Sequence, residues 1–236
     1  MAASCITLSS RKLKEMKKIK EKWSNKFFIE EIEDVLKLLM QKGAVIKNID
    51  LAGIIIASSS PIKQLQNAHL YQSNLNNVNM SHSFISCFAD ESLWNHADFS
   101  ETKFDRCTMC KSNITECNFN KSKLVINADD TIFSDCNFTG AKIGIGTYGY
   151  EYGGRRTKFY NCNFTGTEFK SVEFRASKFY NCNFTRTRFI SCDLRGIKFE
   201  GNAPTIEQYE RMKIPEMTPE NIIFQTDDNK QIKLLR

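Results

Sequence analysis

Cys107 and Cys110 are separated by two residues, the spacing with which paired thiolates grip zinc or cycle through a disulfide. Cys5, Cys87, Cys117, Cys136, Cys162, Cys182 and Cys192 bring the total to 9. An odd number fits a reducing compartment, where thiols need no partner. A zinc site also needs a second pair of ligands, and the three histidines, His69, His82 and His96, stand at no metal or triad spacing. No glycine-rich phosphate loop, nucleophile elbow or paired-carboxylate motif occurs. The expectation is therefore no catalytic residue, no metal and no cofactor. One segment is composed for recognition instead. Gly144 to Arg156, GIGTYGYEYGGRR, holds five of the 11 Gly and three of the 7 Tyr. Tyr148, Tyr150, Tyr152, Arg155 and Arg156 are its candidate partner-binding side chains. The plainer reading is a tolerated surface insertion.

The background to these residues is that of a soluble protein, with 41% hydrophobic and 25% charged residues. The apolar run Ile54 to Ala57 is too short to span a bilayer, and Lys and Arg interrupt any signal-peptide core in the first thirty residues. A cytoplasmic chain with no membrane span is expected. The net charge of +6 is unevenly spread. Between Ser10 and Lys26 stand eight Lys or Arg against Glu15 and Glu21. Such a basic stripe could lie on an anionic membrane or touch nucleic acid. More commonly it packs its apolar side and leaves its lysines in water.

A repeat positions everything else. Thr157 to Phe174, TKFYNCNFTGTEFKSVEF, recurs twenty residues later as SKFYNCNFTRTRFISCDL. Within it runs a period of five: Phe159, Phe164, Phe169, Phe174, Phe179, Phe184, Phe189, Leu194 and Phe199. Two places before each rung the residue is mostly small, as at Thr157, Cys162, Thr167, Ser177, Cys182, Thr187 and Cys192. No helix has that period. One large and one small inward residue per five describe a chain that turns a corner at every repeat. The register also holds through Phe99, Phe104, Met109, Ile114, Phe119 and Leu124, and again through Phe133, Phe138 and Ile143. Leu70, Leu75 and Met80 begin the ladder, His82 to Trp94 is irregular, and one residue is missing between Leu124 and Phe133. Cys107 occupies the same small slot as Cys117, Cys136, Cys162, Cys182 and Cys192, so packing accounts for it without zinc or redox chemistry.

Ala97-Asp98-Phe99, Cys117-Asn118-Phe119, Cys136-Asn137-Phe138, Cys162-Asn163-Phe164 and Cys182-Asn183-Phe184 carry a resemblance to the pentapeptide-repeat family. Its loose consensus is Ala, then Asp or Asn, then Leu or Phe, then two variable residues. This chain departs from it by using Phe for Leu and Cys or Thr for Ala. The resemblance implies an all-β solenoid, a right-handed quadrilateral parallel β-helix with four repeats per coil. Coils then stack at about 4.8 Å, placing Phe164 on Phe184 and Cys162 on Cys182.

Open solenoid ends expose backbone and apolar rungs, so caps are required. Leu13, Met16, Ile19, Trp23 and Phe27, continued by Phe28, Ile32, Val35, Leu36 and Leu39, predict helices over 10–42 that cover the first coil. The expected organisation is an N-terminal α-helical cap at 1–47, the β-helix at 48–201 with its insertion at 144–156, and a C-terminal cap or tail at 202–236. A short helix over 205–213 and a hairpin of 222–225 with 231–235 are expected in that tail.

A rigid surface without chemistry predicts a non-catalytic scaffold that binds a protein partner through a solenoid face and the 144–156 segment. The chain is expected as a monomer or an end-to-end dimer. The resemblance adds an alternative, because some family members act on DNA topoisomerases by resembling duplex DNA. Charge opposes it here, with eight Lys or Arg against three acids over 157–199. A further alternative is nucleic-acid binding through the basic surface, with affinity falling steeply in salt.

Overall fold

A computed structural model describes residues 10–144, 153–211, 224–225 and 231–232. The five-residue period becomes a right-handed coil with four flat faces. The first face is a 10-stranded sheet and the third an 8-stranded sheet. The second and fourth are held by single bridges, such as Asn137 to Asn163 to Asn183 and Gly153 to Glu173 to Asp193. Strands are short because each presents one rung: in Lys158–Tyr160, Phe159 points inward and is buried while its neighbours face out. In-register pairing then joins like to like, Lys158 with Lys178, Phe159 with Phe179, Tyr160 with Tyr180.

Aromatic rungs fill the column. The Phe164 and Phe184 rings stack with centroids 5.7 Å apart, and Phe169 and Phe189 at 4.7 Å with planes 1° apart. Burying each such side chain contributes on the order of 1.5–3 kcal/mol. The small slots let the rungs meet. Their polar members are satisfied by the wall: the Thr167 and Thr187 hydroxyls donate to Phe138 O and Phe164 O, both at 2.7 Å.

Turning every five residues demands left-handed backbone. After the first face Asn48, Asn77, His96, Glu116, Asp135, Asn161 and Asn181 all have φ between 51° and 55°, before Gly201 takes the corner at 78°. Each non-glycine residue there costs roughly 1–2 kcal/mol, least for Asn and Asp. Inter-coil bonds offset this strain, as where Asn161 N–H donates to Tyr180 O at 2.8 Å.

All three irregularities in the sequence gather at one corner, between the third and fourth faces. Asp105 faces Val125 and Cys107 faces Ile126, so the left-handed corner residue Arg106 has no counterpart in the next coil. That is where the residue missing before Phe133 has gone. In the stretch 82–94, Ile85 pairs with Phe104 and Phe88 bridges Thr108, again one residue short across the same corner. The insertion leaves after Gly144 and rejoins at Gly153, which bridges Asn127. The fourth-face rungs beside these changes are small: Ala89, Ala128 and Gly154. Gly154 allows close approach, since an added Cβ would meet Thr157 Oγ1 and Ala128 O.

The N-terminal cap comprises α1 (Ser10–Lys22), α2 (Lys26–Glu31) and α3 (Glu33–Leu38). Asn25 caps α2, its Oδ1 accepting from Phe27 and Phe28 N–H. Ile32, Leu36 and Leu39 are buried on the first rungs. The end of α1 also meets the first coil, as expected of a cap: Trp23 Nε1 donates to Ala52 O at 2.7 Å, Lys22 Nζ pairs with Asp50 at 3.2 Å, and Ile19 fills the space left by Gly53. At the other end the helix expected over 205–213 is a single 3-10 turn, Ile206–Gln208. Tyr209–Glu210 then pairs with Phe189 and Ile190, because Tyr209 supplies one more aromatic rung to the third face. Phe224–Gln225 continues the first face and pairs antiparallel with Gln231–Ile232. Among the described residues no helix is long and apolar enough to cross a membrane.

Candidate partner-binding face

The two sulfurs of the CxxC stand in different settings. Cys107 is buried in its slot, its thiol donating to Ile85 O at 3.0 Å, whereas Cys110 is half-buried with Sγ 3.7 Å from Asn127 O. Burial, and then the Asp90 carboxylate, push the Cys110 thiol up to about 11, away from thiolate chemistry. Cys117, Cys136, Cys162 and Cys182 form a buried column on the second face, the last three donating to the carbonyls of Ile114, Phe133 and Phe159. Burial and its thiol neighbours push Cys162 well up. Among the described residues no group of three or more His, Cys, Asp or Glu is placed to hold a metal ion. His82 and His96 sit at separate corners, 3.6 Å from Glu101 and 3.0 Å from Glu116, and His69 Nδ1 accepts from Tyr71 N–H.

Tyr148, Tyr150 and Tyr152 lie outside the described residues. Arg155 and Arg156 stand where the insertion rejoins the wall, and neighbouring coils engage both. Arg156 makes a two-pronged pair with Asp130, Nε to Oδ1 at 2.7 Å and Nη2 to Oδ2 at 2.6 Å, which holds the Asp130 carboxyl below its usual range. Arg155 starts a ladder: Arg155 to Glu173 at 2.8 Å, Glu173 to Arg175 at 3.0 Å, Arg175 to Asp193 at 2.6 Å, Asp193 to Arg195 at 2.8 Å. Burial works to raise the Asp193 carboxyl, and Arg195 and Arg175 outweigh it, so it ionises below the ordinary carboxylate range. Asn127, Asp129, Gly154, Arg155 and Glu173 line a polar groove of 290 Å³ beside the insertion. The twenty-residue spacing of Arg155, Arg175 and Arg195 was the signal for this ladder, and reading the segment by composition alone missed it.

Around the next corner, on the first face, Lys158, Lys178 and Lys198 stand in register. Beside them the half-exposed rings of Tyr160 and Tyr180 stack at 4.6 Å with planes 5° apart. The C-terminal coils thus present a ribbon of cations and aromatic edges, with the thiols turned inward. These features define a four-sided parallel β-solenoid whose polar chemistry is confined to its outer walls.

A family model described as a pentapeptide repeat region matches residues 155–226, and another, pentapeptide repeats in 8 copies, matches 95–125. The chain belongs to the pentapeptide-repeat family. Among solved structures it is similar to trypsin-treated QnrB1, a plasmid-mediated fluoroquinolone resistance protein: 12% identity, 70% of this chain, 78% of that chain, TM-score 0.54. That likeness is one of fold. Matches with TM-scores of 0.24 and 0.23 are HetL, involved in heterocyst differentiation regulation, from Nostoc sp. strain PCC 7120, and Rfr23 from Cyanothece 51142. HetL is 12% identical over 66% of this chain and 83% of its own, and Rfr23 14% identical over 72% and 95%. The search of curated proteins returns no match.

Proposed function

We propose that the chain is a non-catalytic scaffold that binds a protein partner through the 144–156 segment and the walls on either side of it. The observation that carries this reading is the Arg155–Glu173–Arg175–Asp193–Arg195 ladder, which fixes a rigid charged edge where the insertion returns to the solenoid. Rigid walls lose little entropy on binding, and tyrosines are side chains that commonly anchor interfaces. The thiols, being buried or held protonated, support a structural part for cysteine in place of a reactive one. A duplex-DNA mimic requires a negative face, and the lysine column on the first face speaks against one.

The test uses the immobilised full-length chain in host-cell extract, with and without Tyr148→Ser, Tyr150→Ser and Tyr152→Ser together. The scaffold reading expects a discrete set of nuclease-resistant retained proteins that the triple variant loses. An unchanged set refutes the part given to the tyrosines, and retention that vanishes with nuclease refutes a protein partner.

A further inference from the structure

We infer that the first face between residues 158 and 200 is a docking strip for an acidic α-helix of the partner, an inference that rests on the protein-scaffold reading above. The argument begins with an electrostatic cost. Lys158, Lys178 and Lys198 occupy one position of three successive coils, so their stems leave the wall about 4.8 Å apart. Like charges directly opposite across strands destabilise a sheet. Elsewhere on these coils most of the arginines are compensated, and Lys170 lies beside Ile190, not beside a like charge. Arg155, Arg175 and Arg195 share Glu173 and Asp193, and Arg188 lies between Glu168 at 3.1 Å and Glu210 at 2.7 Å. A second lysine triplet, Lys103, Lys123 and Lys142, lies on the third face, but Lys103 pairs with Asp105 at 3.2 Å and sits over the Phe84 ring. The first-face column makes no close ion pair with a described residue, and the Asp130 carboxylate that Lys158 feels is already held by Arg156. Among the described residues its charge is left largely uncompensated.

The chemistry of that partner follows from spacing and from the rings. An α-helix laid along the solenoid axis brings carboxylates at i, i+4 and i+7 onto one side about 5.4 Å apart. The mismatch with the coil rise is about 0.6 Å per step, well within the swing of a four-carbon lysine stem. Tyr160 and Tyr180 offer the flank of such a helix an apolar edge and two hydroxyls. They do not suit a single-stranded nucleic acid as well, because each ring covers one face of the other and so withdraws it from base stacking. Three cations would also neutralise only about three phosphates.

The experiment uses the full-length chain and a fluorescent alanine-based helical peptide with glutamates at i, i+4 and i+7, read by anisotropy at low salt. The control peptide has the same composition with its glutamates spread around the helix. Reversal at Lys158→Glu, Lys178→Glu and Lys198→Glu is expected to weaken binding by at least about tenfold, that is about 1.4 kcal/mol. The neutral set, Lys158→Gln, Lys178→Gln and Lys198→Gln, weakens it in the same direction even if the reversed set folds poorly. Lys103→Glu, Lys123→Glu and Lys142→Glu are expected to leave binding within about twofold, since that column faces elsewhere. Equal losses from the two triplets, equal affinity for the control peptide, or tighter binding of a single-stranded oligonucleotide of the same charge would each overturn the inference. None of these outcomes touches the tyrosine variants, so the strip and the scaffold reading can fail separately.

Discussion

At the scale of single residues, cysteine in this chain acts as a small apolar spacer with a weak donor. Cys117, Cys136, Cys162 and Cys182 let neighbouring phenylalanines close over them, and the thiols of the last three donate to wall carbonyls. In the folded chain Cys162 is expected to resist iodoacetamide and to react once the chain is unfolded, with mass spectrometry locating the adduct. Alkylation of native Cys162 would contradict its placement. Asp193 is the matching case among charges. It is buried at 5% exposure between Arg175 and Arg195, so Asp193→Asn is expected to cost about 2 kcal/mol in denaturant unfolding. Its folded-state ionisation lies below the unfolded one. The stabilisation is therefore complete above the unfolded value near ~3.9 and fades as pH falls through the lower folded value. The difference between wild type and Asp193→Asn should shrink on acidification below about pH 4. A difference that grows there would reverse the sign of the argument.

At the scale of elements, the fourth face takes all the length variation. A face closed by single bridges loses a corner residue, or gains a loop, without slipping the two sheets on either side. This explains which parts of the fold could be read from sequence. The phenylalanine ladder was legible because a five-residue period admits one large inward side chain per repeat. The missing residue before Phe133 was also visible, but not that Phe84 to Phe88 shares its corner, because register there is set by pairing with residues 103–108. That α1 belongs to a cap on the first coil was legible, but its point of contact was not. Its apolar stripe says that it packs, while the surface it packs on is decided by Gly53, a glycine whose absent side chain admits Ile19. Gly53→Val is expected to dislodge α1, costing about 1–3 kcal/mol through overpacking and positive φ and exposing Trp23. A red-shifted tryptophan emission reports this, since the other tryptophan, Trp94, is fully buried in the column. Unshifted emission with unchanged stability would mean that α1 does not depend on that contact. Of the candidate site, composition singled out Arg155 and Arg156 as candidates. Their partners Glu173 and Asp130 were not, since each pair is made between neighbouring coils, 18 and 26 residues apart in the chain.

At the scale of the whole molecule, the coil rise turns sequence repetition into charge geometry. Any outward residue repeated every twenty positions becomes a column, as Lys158, Lys178 and Lys198 do on the C-terminal coils. The proposed docking strip depends on that register, so the register is the claim to test. Lys158→Cys, Lys178→Cys and Lys198→Cys, combined in one chain with Cys5→Ser, Cys87→Ser and Cys110→Ser, provide sites for nitroxide spin labels on the first face. Three labels in successive coils about 4.8 Å apart should exchange spin, collapsing the continuous-wave spectrum toward a single line. Three sharp, separate lines from the triply labelled chain, like those of each singly labelled chain, would contradict the stacked in-register column.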